Sequence, residues 1–129
     1  MADYLLDTNV LILHLRSHPE ITARLTTWTE TSTLCVSVVT RTEVLAGMRA
    51  REEGRTLDLL DSLMSLAVDE AIADRAGRLI YQYGRQGVQL SFPGALIAAT
   101  ALQHDLTLVT TNAKHFPIPE LRVSTPAVE

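Results

Sequence analysis

The sequence predicts an α/β fold in which a mostly parallel sheet is covered by helices on both faces. Short runs rich in Leu and Val alternate along the chain with stretches of helical periodicity, which is the pattern of strand–helix–strand units. A length of 129 residues suits one domain with a core of its own, so we expect a single domain over residues 1–129. Hydrophobic residues make up 47% of the chain, as in compact globular proteins.

The elements follow one another in a regular order. The strand candidates are Asp3–Asp7, Leu34–Val39, a weaker Leu66–Val68, Leu106–Thr110 and Arg122–Ser124. Helical patterns cover Asn9–Ser17, Glu20–Thr31, Thr42–Ala50, Glu53–Ser65, Glu70–Gln86 and Gly94–His104. Pro19 suits the start of a helix and Gly87 the end of one, because Pro fixes φ at a helical value and Gly accepts the left-handed conformation that ends helices.

Composition bounds the classes of function. No apolar run approaches the roughly 18 residues of a membrane-spanning helix, so we expect no membrane association. The start Met1-Ala2-Asp3 has no basic segment or cleavage signature, and the single Cys35 cannot form a disulfide within one chain. Both features predict a cytoplasmic protein. The net charge of −4 argues against a broad surface that coats nucleic acid, but carboxylates collected for a metal would also lower this charge.

The first candidate functional residue is Asp7, which directly follows the apolar run Tyr4-Leu5-Leu6. In an open parallel sheet, ligands bind outside the carboxyl ends of the strands, so a carboxylate at this place points toward a site. The alternative is that Asp7 only caps the helix that begins after it. Because other strand ends carry similar polar groups, we favour the functional interpretation.

Two further strand ends carry polar residues. Glu43 lies about one turn beyond the second strand, but Thr40 stands three residues before it, in the spacing of a capping box. The local sequence supports the structural and the functional interpretation of Glu43 equally. Asn112 follows the strand Leu106–Thr110, and taken alone it is better explained by an Asn-containing turn.

Gly94 is unexpected where it stands, in the first turn of the predicted helix Gly94–His104. Gly weakens a helix by roughly 0.5–1 kcal/mol relative to Ala. An acidic residue would instead gain about 0.3–1 kcal/mol from the dipole at the helix start. Local physical chemistry therefore favours Asp or Glu at position 94.

Four segments together resemble the PIN-domain ribonucleases and, within them, the VapC toxins of bacterial type II toxin–antitoxin pairs. They are Leu5-Leu6-Asp7-Thr8-Asn9, Thr42-Glu43-Val44-Leu45-Ala46-Gly47, Ala95-Leu96-Ile97-Ala98-Ala99-Thr100-Ala101 and Leu108-Val109-Thr110-Thr111-Asn112, in the family's order. The resemblance implies a PIN-like three-layer fold with a sheet of about four or five strands. It also implies Mg²⁺- or Mn²⁺-dependent hydrolysis of structured RNA such as tRNA or rRNA, a VapB-like antitoxin as partner, and a homodimer.

The resemblance assigns roles residue by residue. Asp7 and Glu43 match acidic residues that bind metal and take part in catalysis, and Asn112 falls in the segment that supplies a further catalytic polar group. Thr8 matches the hydroxyl that supports the first Asp, with Thr111 as a second supporting residue. Carboxylates suit this chemistry because hard divalent cations prefer oxygen ligands, activate water and neutralise charge on a phosphate.

The third acidic residue of the family is normally an Asp directly before the Ala-Leu-Ile-Ala-Ala helix, and here that metal position is Gly94. The departure from the family and the local helix anomaly thus fall on the same residue. We expect a ribonuclease with weakened metal binding and a poorly placed water. The alternative is a catalytically inactive PIN domain that acts as an antitoxin- or RNA-binding module.

A receiver-like signalling domain of similar length is a third interpretation, suggested by Lys114 after a late strand. Such a domain needs an acidic pair at the first strand and a phosphoacceptor Asp at a central strand end. Asn9 and the segment Val38-Val39-Thr40 do not supply these groups. The sequence therefore disfavours this interpretation strongly.

Overall fold

A five-stranded parallel sheet forms the centre of the computed structural model, which describes residues 3–126. The strands are β1 (Tyr4–Leu6), β2 (Leu34–Ser37), β3 (Met64–Leu66), β4 (Thr107–Val109) and β5 (Val123–Ser124). They lie in the order β3-β2-β1-β4-β5, and every neighbouring pair is parallel. The predicted α/β fold with a mostly parallel sheet is confirmed.

Six α-helices connect and cover these strands within the described residues. They are α1 (Thr8–Leu15), α2 (Pro19–Thr29), α3 (Val38–Gly47), α4 (Glu53–Asp61), α5 (Glu70–Gly84) and α6 (Phe92–Gln103). Pro19 is the first residue of α2, and Gly87 after α5 has a φ of +80°, as the sequence suggests for both. None of the helices in residues 3–126 combines the length and the hydropathy that a membrane crossing requires.

The boundary between β2 and α3 differs from the prediction. The sequence predicts a strand over Leu34–Val39 and a helix from Thr42, but β2 ends at Ser37 and α3 begins at Val38. The Ser37 hydroxyl caps the helix by accepting a hydrogen bond from the Val39 amide at 3.1 Å. The β-branched pair Val38-Val39 favours a strand locally, but the cap and the packing of α3 override that preference.

Alternate strand residues pack on opposite faces of the sheet. Leu5, Cys35 and Leu108 belong to a core cluster with α5 and α6. Their chain neighbours Leu6, Val36 and Val109 belong to a second cluster with α1, α2 and α4. The three-layer arrangement follows from this alternation, because each strand presents apolar side chains to helices on both sides.

Several helix ends meet at the carboxyl edge of the sheet. α1 and α3 begin directly after β1 and β2. The chain reverses between α6 and β4 at Asp105, whose φ is 55°, so α6 runs antiparallel to β4 and begins at the carboxyl edge. Arg75 near the start of α5 donates to Gln103 at the end of α6, so α5 runs antiparallel to α6 and ends beside its start. This edge therefore collects the starts of α1, α3 and α6 and the end of α5.

We expect Leu108→Ala to lower the free energy of unfolding by about 2–5 kcal/mol, because it opens a cavity in a fully buried layer. Met64→Ala is the matched control, since Met64 is 55% exposed on the edge strand β3 and its truncation should change stability by less than about 0.5 kcal/mol. Urea denaturation measures both. Equal effects of the two substitutions would contradict the described packing.

Candidate active site

Asp7 lies at the junction of β1 and α1, and its side chain is 7% exposed. Its Oδ1 accepts a hydrogen bond from the Thr8 amide at 2.8 Å, and its Oδ2 accepts one from the Thr110 hydroxyl at 2.8 Å. The Asp7 amide donates to the Val109 carbonyl at 2.9 Å. Asp7 thus occupies the cap position of α1 and also presents a buried carboxylate, held in one orientation, at the end of a central strand.

Glu43 is joined to α1 through Thr8. The Thr8 hydroxyl donates to Glu43 Oε1 at 2.6 Å and lies 3.5 Å from the Thr40 hydroxyl oxygen. Thr40 is inside the first turn of α3, and Ser37 is the capping residue. The capping-box interpretation of Glu43 is therefore wrong. The Glu43 carboxylate contacts the neighbouring helix α1, and Thr40, three residues before Glu43, is not the residue that caps α3.

Thr110 is a member of this cluster that the sequence did not single out. Its side chain is fully buried, and its hydroxyl donates to Asp7 and accepts a hydrogen bond from the Asn112 amide at 3.0 Å. Thr110 thereby links Asn112, which is half-buried, to the Asp7 carboxylate. Thr111 is also half-buried, but the hydroxyl that contacts Asp7 belongs to Thr110. The sequence feature that could have identified Thr110 is its position as the last residue of the predicted strand Leu106–Thr110, where it brings a hydroxyl to the strand end.

Gly94 lies in the first turn of α6, as predicted, although this helix begins two residues earlier than expected, at Phe92. The Gly94 amide donates to the Ser91 hydroxyl at 3.0 Å. A Cβ at position 94 would lie 2.8 Å from Ser91 Oγ and 3.8 Å from Phe116 Cε1. A side chain here therefore requires the Ser91 hydroxyl to move, and this movement weakens the cap that the hydroxyl provides by accepting from the Gly94 amide.

Position 94 belongs to the same region of the fold as the other candidates. Phe116, which borders it, lies in the loop that follows β4 and contains Asn112. α6 also packs against α3, the helix that carries Glu43. The structure thus connects Asp7, Thr8, Glu43, Thr110 and Asn112 by hydrogen bonds and puts Gly94 at the start of an adjoining helix.

The donor set falls short of a full site for a divalent cation. Among residues 3–126, no three His, Cys, Asp or Glu side chains lie together as a metal-binding group. Asp7 and Glu43 supply two carboxylates, and each already accepts hydrogen bonds from protein donors. Mg²⁺ prefers several oxygen ligands and depends on carboxylates to hold it. Two carboxylates alone therefore fall short of the donor set that Mg²⁺ prefers.

Comparison with known proteins gives one consistent family. The PIN domain family profile matches residues 4–119. The chain is 38% identical over 116 residues to ribonuclease VapC10 of Mycobacterium tuberculosis, an alignment that covers 90% of this chain and 87% of the relative. It is 28% identical over 130 residues to a tRNA(fMet)-specific endonuclease VapC of Salmonella typhimurium, covering 95% of this chain and 97% of the relative.

Solved structures agree with this result. A toxin–antitoxin complex from Klebsiella pneumoniae contains a chain that superposes with a TM-score of 0.81 at 34% identity, covering 98% of this chain and 99% of that chain. A DNA-bound VapBC complex from Salmonella typhimurium gives a TM-score of 0.81 at 27% identity, covering 97% of this chain and 98% of that one. The likeness therefore extends over nearly the whole chain in both cases.

We expect Thr110→Val to lower the free energy of unfolding by about 1.5–3 kcal/mol, because it removes a buried hydrogen bond to a carboxylate. Thr107→Val is the matched control, since Thr107 lies on β4, which Thr110 directly follows, and no side-chain hydrogen bond found within residues 3–126 involves the Thr107 hydroxyl. Urea denaturation should show a change below about 0.5 kcal/mol for the control.

The same experiment is repeated with Asp7→Ala already present. The cost of Thr110→Val should then shrink, because the acceptor of its hydrogen bond is gone. An undiminished cost in that background would mean that the Thr110 hydroxyl does not act through Asp7.

Proposed function

The chain belongs to the PIN domain family and is homologous to VapC ribonuclease toxins, and from this premise we propose that it is a VapC-type toxin whose own ribonuclease activity is impaired at Gly94. The observation that carries the proposal is the cluster in which Thr8 and Thr110 connect Asp7 to Glu43 and to Asn112. Structured RNA is the proposed substrate class, with tRNA favoured because one relative is named a tRNA(fMet)-specific endonuclease.

The chemistry explains why position 94 matters. Hydrolysis of an RNA phosphodiester needs an activated water and stabilisation of charge on the phosphoryl and leaving oxygens, which one or two Mg²⁺ or Mn²⁺ ions supply in such sites. In this chain, Thr8 and Thr110 hold the Asp7 and Glu43 carboxylates in fixed orientations. At position 94 there is no side chain to complete the set. We therefore propose that the chain captures the cation weakly.

A catalytically inactive PIN domain that binds an antitoxin or RNA is the second candidate function. The incomplete donor set at Gly94 favours it, because binding does not require the missing carboxylate. Relatives have been crystallised in toxin–antitoxin complexes, some of them with DNA. A VapB-like antitoxin is accordingly the proposed partner. The half-buried side chains of Ile12, Leu15 and Met48 line an apolar groove between α1, α3 and α4 that such a partner could cover.

We expect Gly94→Asp to raise Mg²⁺-dependent cleavage of total tRNA by about 10²–10³-fold, which corresponds to roughly 3–4 kcal/mol of transition-state stabilisation. Gly54→Asp is the matched control, since Gly54 also lies in the first turn of a helix, is itself exposed, and has open space around its Cβ. The control should cut no faster than the unchanged chain.

Adding Asp7→Ala to Gly94→Asp should abolish the gained activity. If the unchanged chain cuts as fast as Gly94→Asp, position 94 is not part of the site. If cutting survives Asp7→Ala, the activity arises elsewhere and the proposed mechanism is wrong. An absence of cutting by Gly94→Asp with several tRNA and rRNA substrates would favour the binding-module function.

We also expect a homodimer, because two-fold dimers are the commonest closed assemblies of small soluble proteins and the family resemblance implies one. Light scattering on the purified chain at tens of micromolar should give twice the mass of a single 14.2 kDa chain. A clean monomer at that concentration would count against the dimer and leave the proposed activity untouched.

A further inference from the structure

An open pocket of about 520 Å³ lies between α1, α2 and α4, and we name it the α1–α2–α4 pocket. Its polar residues are His14 and Ser17 at the end of α1, Thr22 on α2 and Arg55 on α4. None of these four residues takes part in the hydrogen bonds that connect Asp7 to its neighbours. The proposed cleavage chemistry therefore leaves this group of side chains unexplained.

The charge along the walls of this pocket is opposite in sign to that of the whole chain. Eight described residues line it and none of them is Asp or Glu, although the net charge of the chain is −4. The carboxylate nearest to Arg55 is that of Glu52, 4.0 Å from Nη2, which is longer than the roughly 2.7–2.9 Å of a strong charged hydrogen bond. Glu52 instead accepts a hydrogen bond from the Arg49 amide at 2.7 Å. Arg55 thus keeps its donors available to a ligand.

His14 supplies a second donor to the pocket. Thr22 contacts this ring from α2, with its hydroxyl 3.1 Å from Nδ1, and no hydrogen bond within residues 3–126 involves Nε2. When Nδ1 accepts from Thr22, the proton of the neutral ring is on Nε2, and the protonated ring carries a proton there as well. Burial lowers the pKa of His14, and the positive charge of Arg55 on α4 lowers it further. An anion between these two groups would relieve their repulsion.

Ser17 ends α1 in a conformation that glycine normally supplies. The amides of Ser17 and His18 donate to the carbonyls of His14 and Leu13 at 2.9 and 3.0 Å, which is the pattern of a Schellman motif. The φ of Ser17 is 60°, a left-handed value that is unfavourable for a residue with a Cβ. The turn is therefore fixed by two backbone hydrogen bonds, and it retains a hydroxyl on the pocket wall where glycine would cost less.

We propose that the α1–α2–α4 pocket binds a phosphate group, with the Arg55 guanidinium, the His14 ring and the Ser17 hydroxyl as donors. Arginine and neutral donors without a facing carboxylate suit an oxyanion, because each contact is a charge-assisted or charge-accepting hydrogen bond. Pro19, the first residue of α2, also lines the pocket, so the positive end of that helix dipole acts in the same direction. This inference does not depend on the proposed ribonuclease activity, which requires none of these residues.

Two sources provide a phosphate group: inorganic phosphate, and the monoester of a larger molecule such as a nucleotide. The pocket has the volume typical of small-molecule sites, which are about 300–1,000 Å³. The apolar side chains of Leu15 and Leu59 also line it and offer a surface for an organic group. Inorganic phosphate and adenosine monophosphate are therefore compared in the test. Tighter binding of the latter would support a monoester as the ligand, and equal affinities would support inorganic phosphate.

The first measurement is a titration of the full isotope-labelled chain with either ligand, followed in amide NMR spectra at constant ionic strength. We expect saturable shifts that are concentrated at Ser17, Thr22 and Arg55. Arg55→Gln should weaken binding about tenfold, because it removes a charge-assisted contact. Arg51→Gln is the matched control, since Arg51 is also exposed, lies four residues earlier and is not among the residues that line the pocket. Its substitution should leave the Kd unchanged.

The second measurement tests His14 with sulfate, whose charge is constant over the range used. We expect sulfate to bind at least about threefold more tightly at about pH 5.5 than at about pH 7.5, because the ring gains a proton as the pH falls through its lowered pKa. His14→Gln should remove this dependence, and His104→Gln, at the exposed end of α6, should retain it. If His14→Gln does not fold, NMR titration of the unchanged chain decides: sulfate should raise the pKa of His14, and an unaltered pKa would contradict its role.

Three results would overturn the proposal. Equal losses of affinity in Arg55→Gln and Arg51→Gln would mean that binding follows total charge and not this pocket. Shifts that do not saturate, or that spread over all the basic residues, would mean that no site exists here. Acetate that binds as tightly as phosphate would assign the pocket to an acidic side chain of a protein partner.

Discussion

The hydrogen bond from the Thr110 hydroxyl to the Asp7 carboxylate joins the ends of two central strands that are 103 residues apart in the chain. A buried carboxylate is stable only where donors replace its lost water, and here the Thr8 amide and the Thr110 hydroxyl do so. Meeting this requirement needs β1 beside β4, and the two strands pair in a register that aligns Leu6 with Val109. Asp7 also caps α1, whose first residue, Thr8, donates its hydroxyl to Glu43. The buried Asp7 carboxylate is thus the group through which the parts of the candidate site are connected.

The features predicted correctly from the sequence are those that depend on local pattern. Apolar runs such as Leu106–Thr110 and helical periodicity in Glu70–Gln86 identify the elements, and a parallel sheet follows from their alternation. The start of α3 was missed because Val38 and Val39 favour a strand while the Ser37 cap acts through a single hydrogen bond. Thr110 was missed because its partner is distant in sequence, and no local pattern pairs a strand-end hydroxyl with a carboxylate of another strand.

The start of α6 does not depend on a side chain at position 94. The Ser91 hydroxyl already accepts a hydrogen bond from the Gly94 amide, so the start of α6 keeps its cap without a side chain at this position. The helix beyond it consists almost wholly of buried residues that pack against the sheet, and these hold α6 in place. The stability of the helix thus depends on Ser91 and the core, while a carboxylate at position 94 would serve mainly to bind a cation.

The proposed function imposes a charge requirement on the candidate site. The carboxylates of Asp7 and Glu43 repel a phosphate unless a cation lies between them. A third carboxylate beside this pair would hold such a cation more tightly, because Mg²⁺ depends on carboxylates to anchor it. On the proposal made above, Gly94 leaves the pair without that third group, so hydrolysis is weakened while surfaces elsewhere on the domain are unchanged. The toxin and the binding-module functions would then differ by a single carboxylate on one architecture.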